Sequence, residues 1–392
     1  MKRRDVLALA ASGTLGSMVR GSAFSEATPP AGRVRARDLG ITTGELPPGP
    51  LNAITDVDGV LVGHTTIVRG DGALKPGAGP VRTGVTAVLP HADVWSQPVL
   101  GATHTLNGDG ELTGVHYVRD LEAVSHPILI TNTGSVGTVH EAAIAYANER
   151  KGGGSYLPIV GETWDGRLND IAGLHVRREH VYAAIDSARG GAVAEGNVGG
   201  GTGMVCYEFK GGIGSASRRL PDADGAFTVG VLLQANFGRR SVLMIDGVPV
   251  GREIPRARRA AATAHASRRE GSVIVVIATD APVSSRQLER MCRRATLGLA
   301  RTGTWSGNGS GDIFVGFSTA FRFSREDPRE YTVRMHSPGH MDPLFLATVE
   351  AVEEAVLNAL TKAETMTGID GVTVEQLPYD QLREVMRKYN RM

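Results

Sequence analysis

Glu270-Gly271-Ser272-Val273-Ile274-Val275-Val276-Ile277-Ala278-Thr279-Asp280 joins a polar, arginine-rich segment to a run of β-branched residues, the pattern with which a buried strand begins. A serine at the mouth of such a strand, preceded by glycine and a charged segment, is a candidate for a nucleophile that cuts its own chain. The attack would fall on the carbonyl of Gly271, where no side chain obstructs it and unusual backbone angles are tolerated. The α-amine freed on Ser272 would have a reference pKa of about 7.7–8.0, close enough to neutrality to act as a base toward its own hydroxyl. The plainer alternative is a serine that caps the start of a strand.

C-terminal to this stretch the pattern is strand, helix, strand, helix. The first helix is predicted over 284–301, a strand over Asp312–Thr319, and a long helix over 343–366, with Leu344, Val349, Val352, Val356 and Leu360 at core-facing intervals. N-terminal to it, residues 28–50 are proline-rich and irregular, and short strands follow at 60–64, 84–89 and 127–132. A helix is expected over 137–149, a strand over 158–163 that ends in the polar cluster Glu162-Thr163-Trp164-Asp165-Gly166, and a helix over 180–188. Residues 227–235 and 241–245 read as two strands of a hairpin turned by 236–240. Residues 252–270 hold six arginines against two glutamates and read either as a solvated linker or, from their alanines, as a surface helix. No strand carries the glycine fingerprint of a dinucleotide-binding unit, so the class is mixed α/β, arranged as a layered sandwich.

Composition narrows the function. With 392 residues the chain can bury a substantial core, and a formal net charge of +1 gives no electrostatic case for nucleic acid or a membrane surface. The two cysteines, Cys206 and Cys292, form no C-x-x-C pattern and read as buried thiols. Lys2-Arg3-Arg4, the apolar run 6–19 and the small residues around Ala23–Ala27 read as an export signal over 1–27, of twin-arginine type from its adjacent arginines. No later run reaches the ~18 apolar residues of a membrane span. The expectation is a soluble, periplasmic mature chain beginning near Thr28.

Four constellations compete for the chemistry. Gly196-Asn197-Val198-Gly199-Gly200-Gly201-Thr202-Gly203 lacks the Gly-Lys-Ser/Thr ending of a phosphate loop and reads as a chain-reversing loop near a site. His336 and His340 flank a proline with no acidic partners at helical spacing, so no metal site is expected. Ser310, in Gly307-Asn308-Gly309-Ser310-Gly311-Asp312, precedes a strand instead of leaving one and is no elbow nucleophile. Ser310 and Asp312 are two apart, which in extended chain directs both to one face, where they could orient or deprotonate a third group. Ser272 is the best candidate for that group.

Together the segments 196–203, 272–282 and 307–312, in that order, resemble the DmpA-type L-aminopeptidase/D-amidase-esterases and the related β-peptidyl aminopeptidases, over about residues 35–390. The resemblance implies a four-layer αββα sandwich, like that of N-terminal nucleophile hydrolases but with different connectivity. It implies self-cleavage between Gly271 and Ser272 into an α chain, 28–271, and a β chain, 272–392, assembled as a tetramer of αβ pairs. Ser272 is then the nucleophile, with Ser310 and Asp312 raising its reactivity; Asp312 stands where β-peptidyl members are expected to carry glutamate. Asn236 becomes the side-chain donor of an oxyanion hole, Glu162 the carboxylate near the substrate's free amine, and Trp164 a wall of that pocket. The implied activity is a cofactor-free serine aminopeptidase acting on short peptides, amides or esters through an acyl-enzyme. The alternatives are an acyltransferase like ornithine acetyltransferase, whose nucleophile would be threonine, and a non-catalytic periplasmic peptide-binding protein.

Overall fold

The computed structural model describes residues 32–152, 157–254, 271–324, 326 and 328–392. Residues 1–27, where an export signal is expected, and nearly all of the arginine-rich segment lie outside these residues. From Arg33 to Met392 the chain forms one compact unit. In chain order its first elements are β1 (Leu61–Arg69), β2 (Val81–Leu89), β3 (Val99–Gly108), α1 (Val115–Leu121), β4 (Ala123–Val124), β5 (Ile128–Asn132), α2 (Val136–Arg150), β6 (Ile159–Thr163) and α3 (Arg178–Asp186). There follow β7 (Val205–Cys206), β8 (Phe209–Lys210), β9 (Gly212–Arg219), β10 (Thr228–Phe237), α4 (Val250–Glu253), β11 (Gly271–Thr279), α5 (Ser285–Arg301), β12 (Ser310–Arg322), α6 (Asp342–Lys362) and α7 (Tyr379–Lys388).

Strand β11 decides the layering because it is apolar on both faces. Its odd residues Val273, Val275 and Ile277 join the core made with α5 and α6, including Leu288, Met291, Leu344 and Val352. Its even residues Ile274, Val276 and Ala278 join a second core with Ile128, Ile130 and Ile159 of the facing sheet. A third core sets Val85, Leu129 and Val160 against Val139 of α2 and Val181 of α3. The order is thus helices, sheet, sheet, helices, the four-layer αββα sandwich that the family resemblance implies. One sheet runs β1-β2-β5-β6 and the other β4-β3-β12-β11-β10-β9. Near the middle of the second, β11 is parallel to β12 and antiparallel to β10, which brings the start of β11, the start of β12 and the end of β10 side by side.

Local signals set the boundaries. Ser284 caps α5 by accepting from the Gln287 N–H, while Gln287 Oε1 accepts from the Ser284 N–H at 2.9 Å, a reciprocal box that fixes the helix start. Helix α6 lies directly on β9, so close that a Cβ at Gly214 would overlap the Ala355 carbonyl oxygen. The glycine run 196–204 threads between the sheets: a Cβ at Gly200 would overlap Gln234 Oε1 and come within 2.6 Å of the Ile130 carbonyl.

The hairpin expected around 236–240 does not form. Strand β10 continues through Phe237, Gly238 turns the chain at φ +88°, and 240–242 make a single 3-10 turn. The apolar residues Leu243 and Ile245 are buried as irregular chain because loop partners satisfy their backbone: the Gly251 N–H donates to Leu243 O at 3.0 Å and the Ile245 N–H to Val248 O at 3.0 Å. Asn236 therefore sits in a central strand and not in a turn.

Candidate active site

Ser272 is the second residue of β11 and is 5 % exposed. On one side its cross-strand neighbour is Asn236, and on the other it is Gly311. The Gly311 N–H donates to Ser272 Oγ at 3.3 Å. Gly271, in register with Phe237 and Ser310, is at φ +102°, in the half of backbone space that residues with a Cβ avoid. The sheet register alone thus collects Gly271, Ser272, Asn236 and Ser310 at one point.

The Asn236 carboxamide is fixed at both ends. The Val205 N–H donates to its Oδ1 at 2.8 Å, and its Nδ2 donates to the Trp164 carbonyl at 2.9 Å. These partners settle which end is oxygen, and they leave the second Nδ2 hydrogen uncommitted by either bond. Trp164 is half-buried just past β6, and its ring lies where a Cβ on Gly166 would collide with it. Its contribution to this group is the backbone carbonyl.

Ser310 opens β12 and donates to Asp312 Oδ1 at 2.7 Å, so the expected pairing along the strand is present. That hydroxyl is committed to Asp312, and the polar contact on Ser272 Oγ comes instead from the intervening Gly311 N–H. Burial raises the Asp312 pKa, while hydrogen bonds from Ser310 and Ser306 oppose the shift. The pair flanks the Gly271–Ser272 junction.

Glu162, in β6, is almost wholly buried. Its Oε1 accepts from the Glu111 N–H at 3.1 Å and its Oε2 from the Thr133 hydroxyl. Gly110 joins it to the neighbours of Ser272: a Cβ there would come within 3.2 Å of Glu162 Oε1 and 2.9 Å of the Gly311 Cα. Asn107 ties the same loop to the start of β12, its Nδ2 donating to Gly307 O at 2.9 Å and Asn308 O at 3.2 Å. A cleft of about 250 Å³ opens beside this loop, lined among others by Gly108, Gly110, Glu111, Leu112, Val115 and Ile313. The structure therefore brings all the sequence-selected residues to one end of the two sheets. It adds Asn107, Thr133 and the backbone N–H groups of Glu111, Val205 and Gly311; of these, Asn107 lies at the end of β3 and Glu111 follows it in the loop, and the glycines at 108 and 110 between them are the one signal visible in sequence.

Among the described residues no cluster of histidine, cysteine or carboxylate side chains is arranged to hold a metal ion, and no helix is long and apolar enough to cross a membrane. Cys206 and Cys292 are free and buried, as expected, and burial raises the pKa of both thiols.

The architecture is a variant of the N-terminal-nucleophile hydrolase fold, and the chain belongs to peptidase family S58, whose profile matches residues 52–374. It is an aminopeptidase of that family. It is 44 % identical to a β-peptidyl aminopeptidase of Sphingosinicella microcystinivorans over 96 % of both chains. Its structure matches the L-aminopeptidase D-Ala-esterase/amidase of Ochrobactrum anthropi with a TM-score of 0.83 at 43 % identity, covering 91 % of this chain and 99 % of that one. That enzyme is described as a prototype of the serine aminopeptidases and a new variant among the Ntn hydrolase fold. A Burkholderia β-aminopeptidase matches equally, with a TM-score of 0.83 at 42 % identity over 91 % and 99 % of the two chains. Neither the acyltransferase nor the non-catalytic binding protein is favoured by these likenesses.

Proposed function

We propose that the chain matures by cutting itself at Gly271–Ser272 and then removes N-terminal residues from short peptides, amides or esters with Ser272 as nucleophile. The observation that carries this is the junction itself: a left-handed glycine followed by a buried serine whose Oγ is met by the Gly311 N–H and whose cross-strand neighbour is the anchored Asn236 amide. In maturation Ser272 Oγ attacks the Gly271 carbonyl carbon, the peptide C–N bond breaks, and the nitrogen takes up the hydroxyl proton. Water then hydrolyses the resulting ester, leaving a carboxylate on Gly271 and a free amine on Ser272. In each turnover that amine takes the hydroxyl proton as Ser272 attacks the substrate, and the leaving amine or alcohol receives it; water then hydrolyses the acyl ester, releasing the N-terminal residue as its acid and restoring the Ser272 hydroxyl. An Asn236 Nδ2 hydrogen stabilises the oxyanion, a donor of the kind whose removal costs about 10²–10³ in kcat. The Ser310–Asp312 pair polarises the junction from the neighbouring strand. Glu162, held by two donors on its buried side, takes the substrate ammonium through a charge-assisted hydrogen bond.

The names of the relatives support substrates with a free amine, of L-, D- or β-amino-acyl type. The sequence over 1–27 supports export to the periplasm, and the family resemblance supports a tetramer of αβ pairs, with 28–271 and 272–392 as the two chains. Denaturing electrophoresis with N-terminal sequencing of the smaller band tests the central claim. The native protein should give two chains, the shorter beginning at Ser272, and Ser272→Ala should give one. A native protein that runs intact and still hydrolyses aminoacyl anilides would overturn it.

A further inference from the structure

Behind Asn236 lies a buried lysine that the reaction as described does not use. Lys210 has no exposed surface, and its ammonium is held by carbonyl oxygens: Met204 and Gly211 at 2.8 Å and Gly201 at 3.4 Å. Burial lowers the Lys210 pKa to about 7, while the carbonyl acceptors around Nζ favour its protonated form. Lys210 is also the cross-strand partner of Val205 in the β7–β8 pair. The Met204 carbonyl it grips and the Val205 N–H that grips Asn236 Oδ1 belong to one planar trans peptide, so they point in opposite directions from a single rigid unit. A positive charge on the carbonyl side strengthens the N–H as a donor, and a stronger donor on Oδ1 makes the Nδ2 hydrogens stronger donors in turn, since bonds in such a chain polarise one another. The other anchor of the carboxamide, Trp164 O, fixes its plane.

We propose that Lys210 is a positioning residue for the reaction: acting through the Met204–Val205 peptide, its ammonium orients and polarises the Asn236 carboxamide toward the oxyanion. This rests on the reading of Asn236 as oxyanion donor. Its test is a cycle of Lys210→Met, Lys210→Gln and Asn236→Ala, singly and with Asn236→Ala combined with each lysine variant. All rates are normalised by active-site titration, so that incomplete maturation does not count as slow turnover. The assays are kcat and KM on an aminoacyl anilide and the affinity for an aminoacyl boronate, whose serine adduct is tetrahedral and anionic. Lys210→Met is expected to lower kcat about tenfold and to weaken the boronate in proportion, with KM within about twofold. Lys210→Gln, which keeps a neutral donor, should fall between, and in the Asn236→Ala background either change should cost less than about twofold.

Unchanged kcat in Lys210→Met, an effect confined to KM, or a loss that multiplies fully onto that of Asn236→Ala would overturn the proposal. If Lys210→Met does not fold, the same comparison is made with Lys210→Gln, whose wild-type kcat would equally overturn it. Should Asn236→Ala itself leave kcat and boronate affinity intact, the oxyanion reading fails first. That outcome is distinct from an essential Asn236 beside an indifferent Lys210.

Discussion

Replacing Gly271 by alanine separates a junction built for cleavage from an ordinary strand start. At φ +102° a residue with a Cβ is held in a region that costs about 1–3 kcal/mol. The added methyl would also overlap the Asn236 carbonyl oxygen and the Phe237 Cα, both backbone of β10, which cannot swing aside as a flexible side chain would. Overpacking of this kind costs about 1–3 kcal/mol more, so the total is about 2–6 kcal/mol if the junction keeps its geometry. The cheaper response is for residue 271 to peel away, because from Ser272 onward β11 stays paired on both sides through Thr279. Peeling moves the scissile carbonyl away from Ser272 Oγ, and a misplacement of about 1 Å in a reacting pair costs about 10²-fold in rate. Purified Gly271→Ala should therefore remain a single chain for about a hundred times longer than the wild type on denaturing gels. Its melting midpoint should lie within a few degrees of the unprocessed Ser272→Ala chain. Wild-type processing with an unchanged melt would refute the reasoning and leave Gly271 as a strand start only.

Glu162→Gln keeps an acceptor for the Glu111 N–H but loses the charge, so KM for substrates with a free α- or β-amine should rise about tenfold or more with kcat much less affected; an effect on kcat alone would remove Glu162 from ammonium recognition. Asp165 is fully buried, and desolvation raises its pKa to about 7 against the pull of hydrogen bonds from Thr83, Asn169 and Asn132. The folded state then binds the Asp165 proton more tightly than the unfolded chain between about pH 4 and 7. Its contribution to stability is full at low pH and is lost as pH rises through that window; thermal melts of wild type minus Asp165→Asn should show this slope, and a flat difference would contradict it. Both thiols are buried with raised pKa values, so native protein should resist alkylation at pH 8 until denaturant is added, with labelling counted by mass spectrometry.

The parts of the fold legible in the sequence are the strands that are apolar without interruption. β5, β6 and β11 lie in the middle layers with both faces covered, and their apolar runs at 128–130, 159–160 and 273–278 need no partners beyond hydrocarbon. β9 leaves no such trace, because Gly212-Ile213-Gly214-Ser215-Ala216-Ser217-Arg218-Arg219 places polar groups at buried positions. They are satisfied from far away in sequence: Ser215 donates to Val231 O at 2.7 Å, and Arg218 reaches Glu350 at 3.0 Å and Glu354 at 2.7 Å on α6. Local periodicity cannot record a charge neutralised by a helix over a hundred residues later. The false hairpin at 236–240 has the complementary cause, since Asn236, Gly238 and two arginines imitate turn chemistry while the register of β10 with β11 overrides it. At the candidate site Ser272, Ser310 and Asp312 can be picked out from their local sequence and Asn236, Glu162 and Trp164 only through the resemblance, while Gly311 N–H, Val205 N–H and Trp164 C=O are backbone groups that any residue could supply. Lys210, between Phe209 and Gly211, carries no mark of burial.

Those backbone groups make one substitution more informative than alanine. In Asn236→Asp, one carboxylate oxygen can still accept from the Val205 N–H, so the side chain should keep its rotamer. The other oxygen then replaces Nδ2 and faces the Trp164 carbonyl, and under the proposed mechanism it also faces the oxyanion on the adduct of Ser272, its cross-strand neighbour. Alanine deletes a donor at a cost of about 10²–10³ in kcat, whereas aspartate adds a negative charge where negative charge develops, and should fall about tenfold lower still. Protonation restores a hydrogen at that position, and both burial and the facing carbonyl raise the pKa of the new carboxyl. The activity of Asn236→Asp relative to Asn236→Ala should therefore climb as pH falls from about 7 toward 5. An aspartate variant faster than alanine at neutral pH, or a ratio independent of pH, would mean that the carboxamide does not point at the reacting oxygen.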